Sequence, residues 1–231
     1  MKVDSQNLEE KKLEIACFSY EAAVIAAKAG AHRIELCEDM LVGGITPPTK
    51  TLERIVANTG NLQRFVMIHK LGSSYHYTKR DFTWMVDKID ELHSINIDGF
   101  VFGPLNEKNM PDEERCRELI TAAEKKPCTF HRAFDKIENK SEALEILIAC
   151  GFKRILTSGG EGNAIDFLTE LAALNKQAAG RIIILPGGGV RSSNAKQIID
   201  AMGATEIHSS AIVRGSWPDE SEIKKLLDII I

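Results

Sequence analysis

The octapeptide TFHRAFDK, residues 129–136, ends an apolar run with His131, Arg132 and Asp135 inside five residues. Imidazole carries protons near neutral pH, guanidinium grips anions in a fixed fork, and a carboxylate can orient either. That trio suits acid/base work on an anionic ligand. His131 would be the acid/base, Asp135 its orienter, Glu35 a second proton carrier, and Arg132 a holder of the anion. The segment PGGGVRSSN (186–194) adds Gly187, Gly188 and Gly189 just before a helix start, where backbone N–H groups can turn toward an anion. TSGGEGN (157–163) offers a second such loop through Ser158, Gly159 and Gly160, and EIHSSA (206–211) adds His208, Ser209 and Ser210. Each feature also has a plain structural reading: a tight turn that needs positive φ, or a core histidine with its polar atoms satisfied.

These residues need elements to position them. Eight short apolar runs recur: LEIACF (13–18), HRIELC (32–37), RFVMIH (64–69), GFVFGPL (99–105), PCTFHRAF (127–134), RILTSGG (154–160), RIIILPGGG (181–189) and EIHSSA (206–211). Their starts lie 19 to 35 residues apart, with amphipathic stretches such as SEALEILIACG between them. Ser141 is the expected N-cap of that helix and Gly151 its C-terminal stop. Pro47, Pro48 and Pro111 stand where helices should begin. Eight βα units without a linker predict a single-domain α/β protein, a TIM (β/α)8 barrel over 13–231, preceded by a loosely ordered extension over 1–12. A doubly wound sheet would carry GxGxxG after its first strand, where this chain has SYEAA.

Strand alternation then sorts the side chains. Ile34, Leu36, Val66, Ile68, Phe130, Phe134 and Ile207 are expected against the helices. Glu14, Glu35, Cys37, Met67, His69, His131, Ala133, His208 and Ser210 are expected inside the barrel, with Arg132 and Asp135 at the rim. Three histidines and two glutamates from five strands converge on one axis. In this architecture ligands bind at the C-terminal mouth, and phosphate often sits in the loops after the seventh and eighth strands.

Soft-metal chemistry is a second option. Cys37 and Met67 could join His69 or His131 in a Cu(I) site. Alternation sends Cys17 to the helix side, so pairing it with Cys37 needs a bulge or a rim position.

Composition narrows the class. The net charge of −4 gives no basic footprint for nucleic acid, and no apolar run is long enough to span a membrane. Five cysteines without a CxxC pair argue against a disulfide framework and for a reducing, cytoplasmic setting. A homodimer is compatible with this composition. Cys116 and Cys150 fall on helices as core residues.

The chain resembles the CutC family of copper homeostasis proteins. The resemblance runs through LEIAC (13–17), AGAHRIELCEDMLVGGITPP (29–48), VFGPLNEKNMPDEERC (101–116), TFHRAFD (129–135), ILTSGG (155–160), IIILPGGGVR (182–191) and GATEIHSSA (203–211). It implies a cytoplasmic TIM barrel that binds copper as Cu(I), with Cys17 and Cys37 at the positions of the family's thiol ligands. The chain departs from the family where a loop like RPRGGDF is usual: it reads HKLGSSY (69–75), with Lys70 the remaining cation. Two functions therefore compete: Cu(I) binding, and an enzyme that binds a small phosphorylated or carboxylated metabolite. A barrel whose ligand site has decayed into an interaction role ranks behind both.

Overall fold

A computed structural model describes residues 11–70 and 74–230. Most of the expected 1–12 extension and the middle of the HKLGSSY loop lie outside these residues. The strands are β1 (Lys12–Cys17), β2 (Arg33–Leu36), β3 (Gln63–Met67), β4 (Gly99–Phe102), β5 (Cys128–Phe130), β6 (Arg154–Thr157), β7 (Ile183–Pro186) and β8 (Glu206–Ser209). The helices are α1 (Tyr20–Ala29), α2 (Thr49–Asn58), α3 (Lys79–Leu92), α4 (Glu113–Ala122), α5 (Lys140–Cys150), α6 (Leu168–Ala178), α7 (Ala195–Met202) and α8 (Glu220–Ile230). All ladders are parallel, in the order β7-β6-β5-β4-β3-β2-β1-β8, with β7 and β8 side by side at the closure. This is the expected TIM-barrel architecture. β1 begins at Lys12, one residue inside the predicted extension.

Local chemistry explains the element ends. Ser19 caps α1 by accepting the Ala22 N–H, and Gly30 closes it at φ +91°. For α5, Asn139 caps the helix by accepting the Glu142 N–H, two residues ahead of the expected Ser141; Gly151 ends it as predicted. Pro48 precedes α2, and Asp112, next to Pro111, caps α4.

The register shows how the faces are divided. Glu14 pairs with Arg33, Ala16 with Glu35, and Cys17 with Leu36. Ile34, Leu36, Val66, Ile68, Phe130, Phe134 and Ile207 pack in the main core with the helices, as alternation predicts. Cys37, Phe65, Met67 and Val101 form a separate cluster inside the barrel, with Phe18 against it.

The predicted strand through Phe134 stops at Phe130. Residues Arg132–Lys136 form a 3-10 turn that His131 caps by accepting the Ala133 N–H. That turn resets the alternation and sends Ala133 into the outer core rather than inward.

At the N-terminal end the interior is ionic. The Arg33 guanidinium donates to Glu14 and to Glu206, and Arg154 donates to Glu206 at 2.7 and 2.9 Å. Both guanidiniums lie over the Phe65 ring, 5.0 Å for Arg33 and 5.4 Å for Arg154 from its centre. Gly99 is what lets the ring in, since a Cβ there would sit 2.6 Å from it. Such a buried cluster holds only while every charge keeps its partner.

Candidate functional site

A cavity of about 270 Å³ opens at the C-terminal mouth. That is slightly below the range of about 300–1,000 Å³ common for ligand pockets, which restricts it to small molecules. Glu35, Met67, Leu156 and His208 line it from the strands. His69, Tyr75, His131 and Arg132 form one wall, and Gly188, Gly189, Arg191, Ser209 and Ser210 another. Phe18 and the Met40–Gly44 segment after β2 complete it.

Three ionisable groups run from the barrel core into this cavity. His208 Nδ1 lies 2.7 Å from Glu14 Oε1, and its Nε2 lies 3.7 Å from Glu35 Oε2. Burial alone would raise the Glu14 carboxyl, but the Arg33 charge and the His208 hydrogen bond outweigh it and hold Glu14 well below the usual range. For His208 burial works against the proton, while the Glu14 hydrogen bond and the charges of Glu35 and Glu14 raise its pKa. Glu35 has no such anchor. Burial dominates there and pushes it up to about 7, against the lowering charge of His208.

His131 is held differently. Its Nδ1 accepts the Ala133 N–H at 3.2 Å, so the ring proton belongs on Nε2. Burial and the nearby His69 push its pKa down to about 3, so the ring is neutral at physiological pH. Gly103 makes room for the ring: a Cβ there would lie 2.5 Å from Nδ1. His69, whose Nδ1 lies 2.6 Å from the Tyr77 hydroxyl, and Tyr75 pack around it with ring centres 6.1 and 4.9 Å away. Burial lowers the pKa of His69 as well.

Asp135 does not orient His131. Its Oδ2 accepts from Arg132 Nε at 2.7 Å and from Ser158 Oγ at 2.9 Å, while Oδ1 accepts from Thr157 Oγ1 and the Ser158 N–H. The 3-10 turn causes this, because it places Asp135 beside β6 rather than beside the imidazole. Asp135 therefore aims Arg132, whose guanidinium passes close over Gly188; a Cβ there would stand 3.1 Å from its Cζ.

Of the residues expected at the site, the structure brings Glu35, His131, Arg132, Gly188, Gly189, His208, Ser209 and Ser210 to the cavity. Ser158, Gly159, Gly160 and Gly187 lie off its lining. Ser158 is committed to Asp135, and the two glycines of that loop pack on Phe167. Ser192, ahead of α7, is also committed, since its N–H and hydroxyl both donate to the Glu222 carboxylate, at 2.6 and 2.8 Å. Arg132, Gly188 and Gly189 stand on the cavity lining, where an anion could meet them.

The two thiols belong to different packing clusters. Cys17 sits beside Leu36 in the outer core with its S–H toward the Ile15 carbonyl, while Cys37 lies in the interior cluster beneath Gly44. Burial, and then Glu35, raise both thiols well above the ordinary value. Among the described residues no group of three or more His, Cys, Asp or Glu side chains is arranged to hold a metal ion. The Cys37 N–H donates to the Cys17 carbonyl at 2.9 Å, while the two side chains fall in different packing clusters.

Three contributors were not anticipated. Arg33 faces inward by the same alternation that placed Glu35, so its signal was present. Arg191 follows the triple glycine after Val190, and it braces the β8 loop through Ser210 and the Ile212 carbonyl. Tyr75 lies on a loop, where periodicity says nothing.

The sequence model of the CutC family matches residues 11–213. A mouse protein named copper homeostasis protein cutC homolog is 40% identical over 199 residues, covering 86% of this chain and 73% of its own length. A CutC family protein of Treponema denticola is 39% identical over 207 residues, 90% of this chain and 84% of the relative. Among solved structures, a CutC protein from Streptococcus agalactiae superposes with a TM-score of 0.81 at 28% identity, covering 87% of this chain and 98% of its own. Among the described residues no helix is long and apolar enough to cross a membrane. The interior Glu14–His208–Glu35 chain and the mouth cavity thus stand in a protein that belongs to the CutC family.

Proposed function

We propose that the mouth binds a small metabolite carrying a phosphate or carboxylate, and that Glu35 and His208 move a proton on it. One observation carries this reading. Glu35 lines the cavity with Oε2 3.7 Å from His208 Nε2, while His208 Nδ1 lies 2.7 Å from Glu14, and burial raises the Glu35 carboxyl to about 7. A group poised near the operating pH can both take and return a proton. Arg132 and the Gly188–Gly189 backbone supply the anion contact.

Inorganic phosphate at millimolar concentration is expected to raise the melting temperature of the wild-type protein. Phosphate at 100 times its dissociation constant adds about 2.7 kcal/mol. The Arg132→Ala variant should show little of that shift. A wild-type melting curve that phosphate leaves unmoved would remove the anion site.

The second reading is Cu(I) as cargo in a reducing, cytoplasmic setting. It draws on the names of the relatives and on Cys37 and Met67 sharing one interior cluster. Titration with Cu(I) against a competing chelator tests it. Chelator-resistant binding that disappears in Cys37→Ala is the expected result, and binding of equal strength in that variant would refute the site.

A further inference from the structure

Two buried polar atoms on the cavity residues have no partner among the described residues: Glu35 Oε1 and His131 Nε2. Both side chains belong to residues only 4% exposed, so solvent does not satisfy them. Their demands are opposite. The ring proton of His131 sits on Nε2 because Nδ1 already accepts from the backbone, so Nε2 offers a hydrogen bond and cannot accept one. Glu35 in its carboxylate form offers a lone pair. One small ligand satisfies both if it presents an acceptor oxygen next to an acidic hydrogen.

We infer that the site takes an anionic α-hydroxycarbonyl compound, such as a small ketose or aldose phosphate, and enolises it between Glu35 and His131. This deepens the reading above and rests on it. The Glu35 carboxylate takes a proton from the carbon next to the carbonyl. The electrons of that C–H bond form the C=C bond, and the carbonyl π pair moves onto oxygen. The Nε2–H of His131 donates to that oxygen as charge develops, in a cavity whose other walls include Phe18, Met67 and Leu156.

Return of the proton to the same carbon exchanges its hydrogen with solvent. Return to the neighbouring carbon, with the hydroxyl proton passing to the former carbonyl oxygen, interconverts ketose and aldose. No oxidant or metal is consumed. A neutral imidazole suits the donor role, since it polarises the oxygen without being a competing acid. Arg132, aimed by Asp135, holds the anionic end.

The test uses the full chain and two probes. Calorimetry compares inorganic phosphate with phosphoglycolohydroxamate, which mimics an enediolate bearing a phosphate. The hydroxamate should bind at least roughly tenfold more tightly, as transition-state mimics do. In D2O, proton NMR should show exchange at the carbon next to the carbonyl of dihydroxyacetone phosphate or erythrose 4-phosphate. Glu35→Gln should abolish that exchange. His131→Phe should slow it about a hundredfold or more, and His131→Gln, which keeps an N–H near the same place, should recover part of it. If wild type binds phosphate but binds the hydroxamate no more tightly and exchanges no hydrogen, the inference falls while the anion site stands. If phosphate itself does not bind, both fall together.

Discussion

Replacing Arg33 with methionine is expected to cost about 3–5 kcal/mol of stability, the scale seen when one partner leaves a buried ionic cluster. Arg33 is fully buried and donates to both Glu14 and Glu206. Methionine fills much of its volume, so the loss comes from charge. Glu14 would keep only His208 as its partner, and Glu206 only Arg154. For a protein of this size, the melting temperature should fall by roughly 2–4 °C per kcal/mol. Denaturant unfolding of Arg33→Met measures the cost, and adding Glu14→Gln should return part of it, because the two positions are coupled. A loss below about 1 kcal/mol would mean that the network contributes little.

The second large effect is a pH dependence that Glu35 imposes on folding. In the unfolded chain its carboxyl titrates near 4.5, and in the folded protein near 7. The fold therefore favours the protonated acid. That contribution is complete below about pH 4.5 and is lost as the pH rises through about 7. Glutamine keeps a neutral amide at every pH. The Glu35→Gln variant should thus match wild type near pH 4.5 and exceed it increasingly above that, by up to about 3 kcal/mol on the alkaline side of 7. Glu14, held low, works in the opposite direction, but it does so in both proteins. Urea unfolding of the pair across this range gives the difference directly. A constant gap at all pH values would show that Glu35 titrates normally.

The two effects belong to one device. Arg33 pins Glu14 in its charged form, Glu14 holds His208, and His208 stands between that fixed charge and the titrating Glu35 at the cavity. The ionic floor of the barrel sets the proton affinity of the group that a ligand would meet.

Much of this was legible in the residues. Eight apolar runs at barrel spacing gave the architecture, and the alternation in HRIELC and EIHSSA correctly placed Glu35 and His208 inside. The same parity puts Arg33 inside, where it carries charge rather than a proton that moves near neutral pH. TFHRAFDK was misread where a backbone contact intervened. Once His131 accepts the Ala133 N–H, the chain turns, Ala133 joins the outer core, and Asp135 reaches Arg132 instead of the imidazole. Strand periodicity cannot anticipate a turn that a side chain itself creates. The glycine loops were only half informative for a similar reason. Gly188 admits Arg132 to the cavity, while Ser192, ahead of α7, is taken by Glu222, 30 positions later in the chain. Cys17 and Cys37 fall in different packing clusters, as alternation along β1 and β2 leads one to expect.

Whether Glu35 is a proton carrier poised near neutrality can be tested without knowing the ligand. Carbon-13 NMR of the glutamate side-chain carboxyls, with Glu35→Gln to assign the resonance, follows the titration of this one group. A midpoint close to 7, well above the ordinary 4.5, is expected. A Glu35 carboxyl that titrates at the ordinary value would contradict it, and the mouth would then lose its proton donor and acceptor.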